Sequence, residues 1–106
     1  MKKVKVTKKN AERLTNELES RLRERLAPYT YYEVSREDIG GAYIRISIFS
    51  ADITPFISST AIDEVIEVFN QSKISRDSMY YGIESFELPD TEREVPCISI
   101  TIKIEL

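Results

Sequence analysis

Cys97-Ile98-Ser99-Ile100-Thr101-Ile102-Lys103-Ile104-Glu105-Leu106 decides how the chain folds, because its branched apolar residues fall on every second position. Period two is the repeat of a β-strand, whose successive side chains point to opposite faces. Ile98, Ile100, Ile102, Ile104 and Leu106 thus share one dry face, while Cys97, Ser99, Thr101, Lys103 and Glu105 share a face expected to meet water. Such a strand belongs to an antiparallel sheet covered on one side, so the rest of the chain must supply both strand partners and a cover.

The partners show the same alternation. Tyr43 to Phe49 puts Ile44, Ile46 and Ile48 on one face and Tyr43, Arg45, Ser47 and Phe49 on the other. Tyr29 to Arg36 offers Tyr32 and Val34 inward with Tyr31, Glu33 and Ser35 outward, and the turn residues Glu37-Asp38-Ile39-Gly40-Gly41 between these runs predict a hairpin. Met79 to about Phe86 reads as a further strand, with Met79, Tyr81 and Ile83 inward and Tyr80, Gly82, Glu84 and Phe86 outward. An acidic connection, Glu87 to Pro96, leads from it into the closing isoleucine strand. Near the start, Val4 and Val6 alternate with Lys3, Lys5 and Thr7, which suits a short edge strand whose lysines discourage pairing with a second molecule.

The cover comes from two segments with helical spacing. Ala11, Leu14, Leu18, Leu22 and Leu26 form a narrow stripe, predicting a helix from an N-cap at Thr7 to about Leu26, with Pro28 preventing its continuation. The stripe lacks the two-position seam of a coiled coil, so it packs on the sheet. Glu17 with Arg21 and Glu19 with Arg23 are favourable i,i+4 pairs, and Arg21, Arg23 and Arg25 suit the negative end of the helix dipole. Lys8 and Lys9 oppose the dipole at its positive end. A second helix, about Ala61 to Gln71, is predicted behind a capping box at Thr60-Ala61-Ile62-Asp63, with Ile62, Val65, Ile66 and Phe69 on its apolar face. Ser50 to Ser59, with Thr54-Pro55, is a loop or a short helical turn.

The order (β)αββαββ describes a single α+β domain over residues 1–106. We expect a two-layer sandwich, an antiparallel sheet of four to five strands with both helices on one face. With the N-terminal strand counted, the order contains βαββαβ, the ferredoxin-like pattern of elements, which hosts many unrelated activities.

Composition narrows the setting. A chain of 106 residues with 42% apolar and 31% charged content buries a core without staples, and one cysteine cannot make an internal disulfide. No apolar run approaches the roughly 20 residues that span a bilayer, and the basic start MKKVKV leads into a charged helix rather than a signal-peptide segment, so a cytoplasmic location is expected. Asn70-Gln71-Ser72 matches a glycosylation acceptor, read here as a coincidence at a helix end. The net charge of −3 is divided unevenly: residues 1–26 carry nine Lys/Arg against four Glu, and residues 27–106 carry six against fourteen Asp/Glu. That split suits either a basic arm for an acidic partner or attraction between two parts of one small protein.

The same residues argue against catalysis. Histidine is absent, which removes the Ser-His and Cys-His pairs and the commonest general base and metal ligand. Gly40-Gly41 lacks the remaining residues of a phosphate loop, and Lys73 beside Ser72 and Ser75 is too common a grouping to mark a Ser-Lys pair. Asp63, Glu64 and Glu67 fit a helix N-terminus, and Asp90, Glu92 and Glu94 solvate a loop. A divalent-cation site on either acidic group is the runner-up, without EF-hand spacing behind it. Cys97 reads as a small residue on the polar face of its strand. The expectation is no enzyme, no metal and no cofactor.

What remains is surface. Tyr31, Tyr43, Arg45, Tyr80 and Lys103 fall on the outer sheet face, where aromatics anchor a protein partner or a second copy of the chain. The alternative is nucleic-acid binding by Lys2, Lys3, Lys5, Lys8, Lys9 and Arg13, helped by the tyrosines. Base-stacking platforms sit in basic surroundings, whereas this face holds about as many acids as bases and no RNP-type run, so the protein interface is preferred.

Overall fold

A computed structural model describes residues 2–28, 32–50, 58–87 and 92–105. Its elements run α1 (Ala11–Leu26), β1 (Tyr32–Ile39), β2 (Tyr43–Ser50), α2 (Ser59–Gln71), a short 3₁₀ turn (Arg76–Ser78), β3 (Met79–Glu87) and β4 (Glu94–Lys103). The four strands form one antiparallel sheet in the order β1-β2-β4-β3. Strands β2 and β3 are therefore parallel to each other with β4 between them, the split β-α-β arrangement around α2. The isoleucine strand is central, where its apolar alternation has a partner on either side.

Registers across the sheet explain where the core sits. Ile44, Ile46 and Ile48 of β2 stand opposite Ile102, Ile100 and Ile98 of β4, and these six are buried together with Leu14, Leu18, Leu22, Val65, Val68 and Phe69. Both helices thus cover the same face, giving the expected two-layer sandwich. Residues 40–42 make the β1–β2 turn, and Gly40 and Gly41 take φ values of 64° and 76° that side chains disfavour.

Several local expectations shift. The N-terminal segment is no sheet strand: Val4 bridges Ile74 and Thr7 bridges Glu105, each as an isolated parallel contact. Val4 exchanges hydrogen bonds with Lys73 and Ser75, and the Val6 carbonyl accepts from the Glu105 amide. This segment wedges between the approach to β3 and the exit of β4, burying Val6, while the long β4 holds the place beside β2. Helix α1 begins at Ala11, later than an N-cap at Thr7 implies, because Asn10 folds back: its Oδ1 accepts from the Thr7 amide at 2.6 Å and its Nδ2 donates to the Lys5 carbonyl at 3.1 Å. Lys8 and Lys9 consequently lie in the preceding turn. Helix α2 is capped one turn corner earlier than expected, by Ser58, whose hydroxyl accepts from the Thr60 amide.

The inward face of α2 is also rotated from the expected one. Ala61, Val65, Val68 and Phe69 are buried, Ile62 is only partly covered and Ile66 is 42% exposed. On β3, Tyr81 and Ile83 share the helix face with Ile100 and Ile98 of β4, yet each is 63% exposed. The helical layer is tied towards the opposite edge: Arg23 of α1 donates to the Val34 carbonyl of β1, and Arg36 of β1 donates to Asn16 Oδ1 of α1 at 2.6 Å. Alternation alone assigns a residue to a face; it does not say how far the cover extends.

The outer face departs from simple solvation too. Phe49 opposes Cys97, and with Val95 they form a second buried apolar cluster, while Ser47 and Ser99 are buried beside it. From Cys97 to Ile100, β4 is dry on both faces, and the expected wet face starts only at Thr101. The expected readings of residues 29–31, 51–57 and 88–91 lie outside the described residues, as do the side-chain placements of Tyr32 and Phe86.

Candidate interaction surface

The β2–β4–β3 registers bring most of the expected outer-face residues together. Tyr43 pairs with Lys103, Arg45 with Thr101, and Thr101 in turn with Tyr80. Since directly opposed residues on one face are near neighbours, Tyr43, Arg45, Tyr80 and Lys103 make one patch around Thr101. Tyr43 is 39% and Tyr80 54% exposed. Tyr31 lies outside the described residues.

Arg45 is a structural member of this patch. Its Nε donates to Ser99 Oγ at 2.9 Å, and its guanidinium forms an ion pair with Glu84 of β3. The side chain therefore crosses β4 and ties both neighbours of the central strand. Lys103 stands 3.9 Å from Glu105, two residues along on the same face. The patch is thus two tyrosine rings among paired charges, with little net charge of its own.

Beneath this strap, burial pushes the Cys97 thiol pKa up; the nearby Arg45 charge pulls against the shift and Glu37 adds to it. A buried thiol kept protonated is a poor nucleophile.

The basic N-terminal group divides in two. Lys3 donates to the Asn70 carbonyl at 3.0 Å and also to the Ser72 carbonyl, so it caps the carbonyl end of α2, where a cation is favourable. Lys2, Lys5, Lys8, Lys9 and Arg13 are exposed. Two acids of α2 meet α1: Arg25 reaches Glu64 at 3.4 Å and Glu67 at 3.2 Å. Among the described residues, no three Cys, Asp or Glu side chains gather in a way that could hold a metal ion, and no helix is long and apolar enough to cross a membrane.

The chain matches no family model, no curated protein and no solved structure. Its surfaces have to be read from their own chemistry.

Three large hydrophobic side chains depart from the sequence expectation. Tyr81 and Ile83 on β3 and Ile66 on α2 were expected in the core, and all three are among the exposed large hydrophobics. Tyr81 keeps one contact inward, its ring meeting Phe69 at a centroid distance of 5.9 Å and an interplanar angle of 61°. The signal that could have flagged this edge is compositional. Strand β1 carries Glu33, Arg36, Glu37 and Asp38, whereas Tyr80 to Ile83 of β3 carries no charge at all.

Proposed function

We propose that this protein is a small cytoplasmic interaction module without catalytic activity, holding a protein partner or a second copy of itself through the sheet. The observation that carries the reading is the set of large exposed aromatic and aliphatic side chains on β2 and β3. Tyr43 and Tyr80 stand on the outer face, with Tyr81 and Ile83 on the other face of the same edge strand. Tyrosine presents a large, fairly rigid ring with a polar tip, which suits contact surfaces that alternate between wet and bound. The charges around the outer patch are already paired within the chain, by Arg45 with Glu84 and Lys103 with Glu105. An interface built there excludes water without stranding an ion, which favours protein over phosphate as the bound chemistry.

Salt provides the test. A contact made by tyrosines weakens little between low and physiological ionic strength, and Tyr43→Ala combined with Tyr80→Ala abolishes it. Nucleic-acid binding by the exposed Lys2, Lys5, Lys8, Lys9 and Arg13 releases counterions and falls steeply with salt. A mixed oligonucleotide that is shifted at physiological salt by the wild-type chain, and not by Lys8→Glu/Lys9→Glu, refutes the proposal in favour of the nucleic-acid reading.

A further inference from the structure

We propose that the free edge of β3 pairs with the β3 edge of a second copy, joining two four-stranded sheets into one continuous sheet. The inference rests on the interaction-module reading and names its partner and surface. It starts from the direction of backbone groups. In an antiparallel ladder, opposed residues alternately exchange both hydrogen bonds or neither. The Ile104 amide donates to the Ala42 carbonyl at 2.8 Å, one step beyond the Tyr43–Lys103 pair in the same register. Ile98, Ile100 and Ile102 therefore direct their amides and carbonyls towards β2, and Cys97, Ser99 and Thr101 direct theirs towards β3. Their partners Glu84, Gly82 and Tyr80 use their polar backbone groups on β4. Tyr81, Ile83 and Ser85 are left with amides and carbonyls aimed at the outer edge, beyond which no further strand lies among the described residues.

The two edges of the sheet differ in a way that bears on self-pairing. Proteins blunt exposed edges with charges, proline, bulges and charged residues turned towards the core. On β1, Glu33 and Glu37 lie on the outer face, and Arg36 and Asp38 on the helix face opposite Ile46 and Ile44. Strand β3 has neither lysine nor proline, its two charges are Glu84, already paired with Arg45, and Glu87 at its end, and it pairs with β4 over Met79–Glu87 without a bulge. Its large exposed side chains, Tyr81 and Ile83 at 63% and Tyr80 at 54%, flank the outer edge on both faces.

Strand β3 is also self-complementary. Ile83 is its middle residue, and its polar backbone groups point outward, so a two-fold axis beside Ile83 gives a hydrogen-bonded register. All of Met79–Glu87 then pairs with the second copy. Tyr81 falls opposite Ser85 of the second copy, Glu84 opposite its Gly82, and Glu87 opposite its Met79. No acid meets an acid in this register, and Ile83 packs on Ile83 at the axis. Edge pairing covers part of the exposed surface of Tyr80, Tyr81 and Ile83 in each copy while both faces of the joined sheet stay open, which puts the interface at the small end of specific contacts, below about 1,200 Å².

Sedimentation velocity and light scattering on the full chain at about 100 μM test this, a concentration suited to an interface at the small end of the range. The expected result is a particle of twice 12.3 kDa. Ile83→Lys and Ser85→Pro each convert it to monomer without changing the circular dichroism spectrum. The first places like charges at the axis, and the second removes an edge amide that β4 does not use. Glu33→Ala, on the opposite edge strand β1, leaves the dimer intact. Under oxidation Ile83→Cys crosslinks to itself, since hydrogen-bonded pairs hold Cα atoms about 5.5 Å apart, within disulfide reach. The native Cys97 is buried and does not compete. A wild-type monomer overturns the edge-pairing inference and leaves the module reading to rest on a different protein. A dimer indifferent to Ile83→Lys and Ser85→Pro but lost in Tyr43→Ala also overturns it, while supporting the module reading through the outer face.

Discussion

Ile98 and Ile83 are the same residue type, opposite each other in the β4–β3 ladder and on the same face of the sheet, yet one is 4% and the other 63% exposed. Replacing each by alanine separates face from cover. Truncation removes three carbons' worth of apolar burial, about 2.4 kcal/mol at roughly 0.8 kcal/mol per methylene. At Ile98 the full transfer term applies, and incomplete collapse of the cavity brings the loss to about 3–4 kcal/mol. At Ile83 little more than a third of the residue is covered, so the loss stays below about 1 kcal/mol. An unfolding entropy of about 2.1 cal/mol/K per residue converts these to drops in Tm of roughly 13–18 °C and at most about 4 °C for a chain of this length. Differential scanning fluorimetry, confirmed by urea melts with unchanged m-values, reads the difference. Measurements at low micromolar protein keep association out of the comparison. Equal losses at the two sites would refute the reasoning, because they would require the inner face of β3 to be as well covered as that of β4.

Other outcomes follow from individual contacts. Ser58→Ala should cost about 1 kcal/mol in urea melts, the usual loss for a helix cap, while Thr60→Ala, which keeps the amide that Ser58 receives, should cost a few tenths. The Cys97 thiol should react with Ellman's reagent far more slowly in the folded chain than in urea. Because its folded pKa is raised, its contribution to stability is complete below the unfolded thiol pKa of about 8.5 and is lost as pH rises through the folded value. Stability should therefore decline in alkali, and Cys97→Ala should remove that part of the slope. Arg25→Ala breaks partly exposed pairs to Glu64 and Glu67, so it should lower stability by less than about 1 kcal/mol, an effect that shrinks with added salt.

The alternation in Ile44–Ile48 and Ile98–Ile102, and the leucine spacing of Leu14–Leu22, were sufficient to place two strands and a helix around one core, since a side chain's face follows directly from its position along a regular backbone. The four tyrosine-patch residues within the described structure were assigned to the correct face for the same reason. The helix starts shifted because Asn10 folds back on the Thr7 amide ahead of α1 and Ser58 takes the Thr60 amide as the cap of α2, and sequence offers several hydroxyl or amide candidates for each such contact. What periodicity could not carry was the lateral reach of the layers. Whether Tyr81, Ile83 and Ile66 are covered depends on where two helices settle over four strands, and that position is set by long-range ties such as Arg36 to Asn16 and Arg23 to Val34. Likewise, Cys97 and Ser99 are interior beside side chains of the neighbouring strand, Phe49 packing with Cys97 and Arg45 donating to Ser99 Oγ. Face is a property of the chain taken one residue at a time; burial belongs to the assembled layers, which alone determine what each face meets.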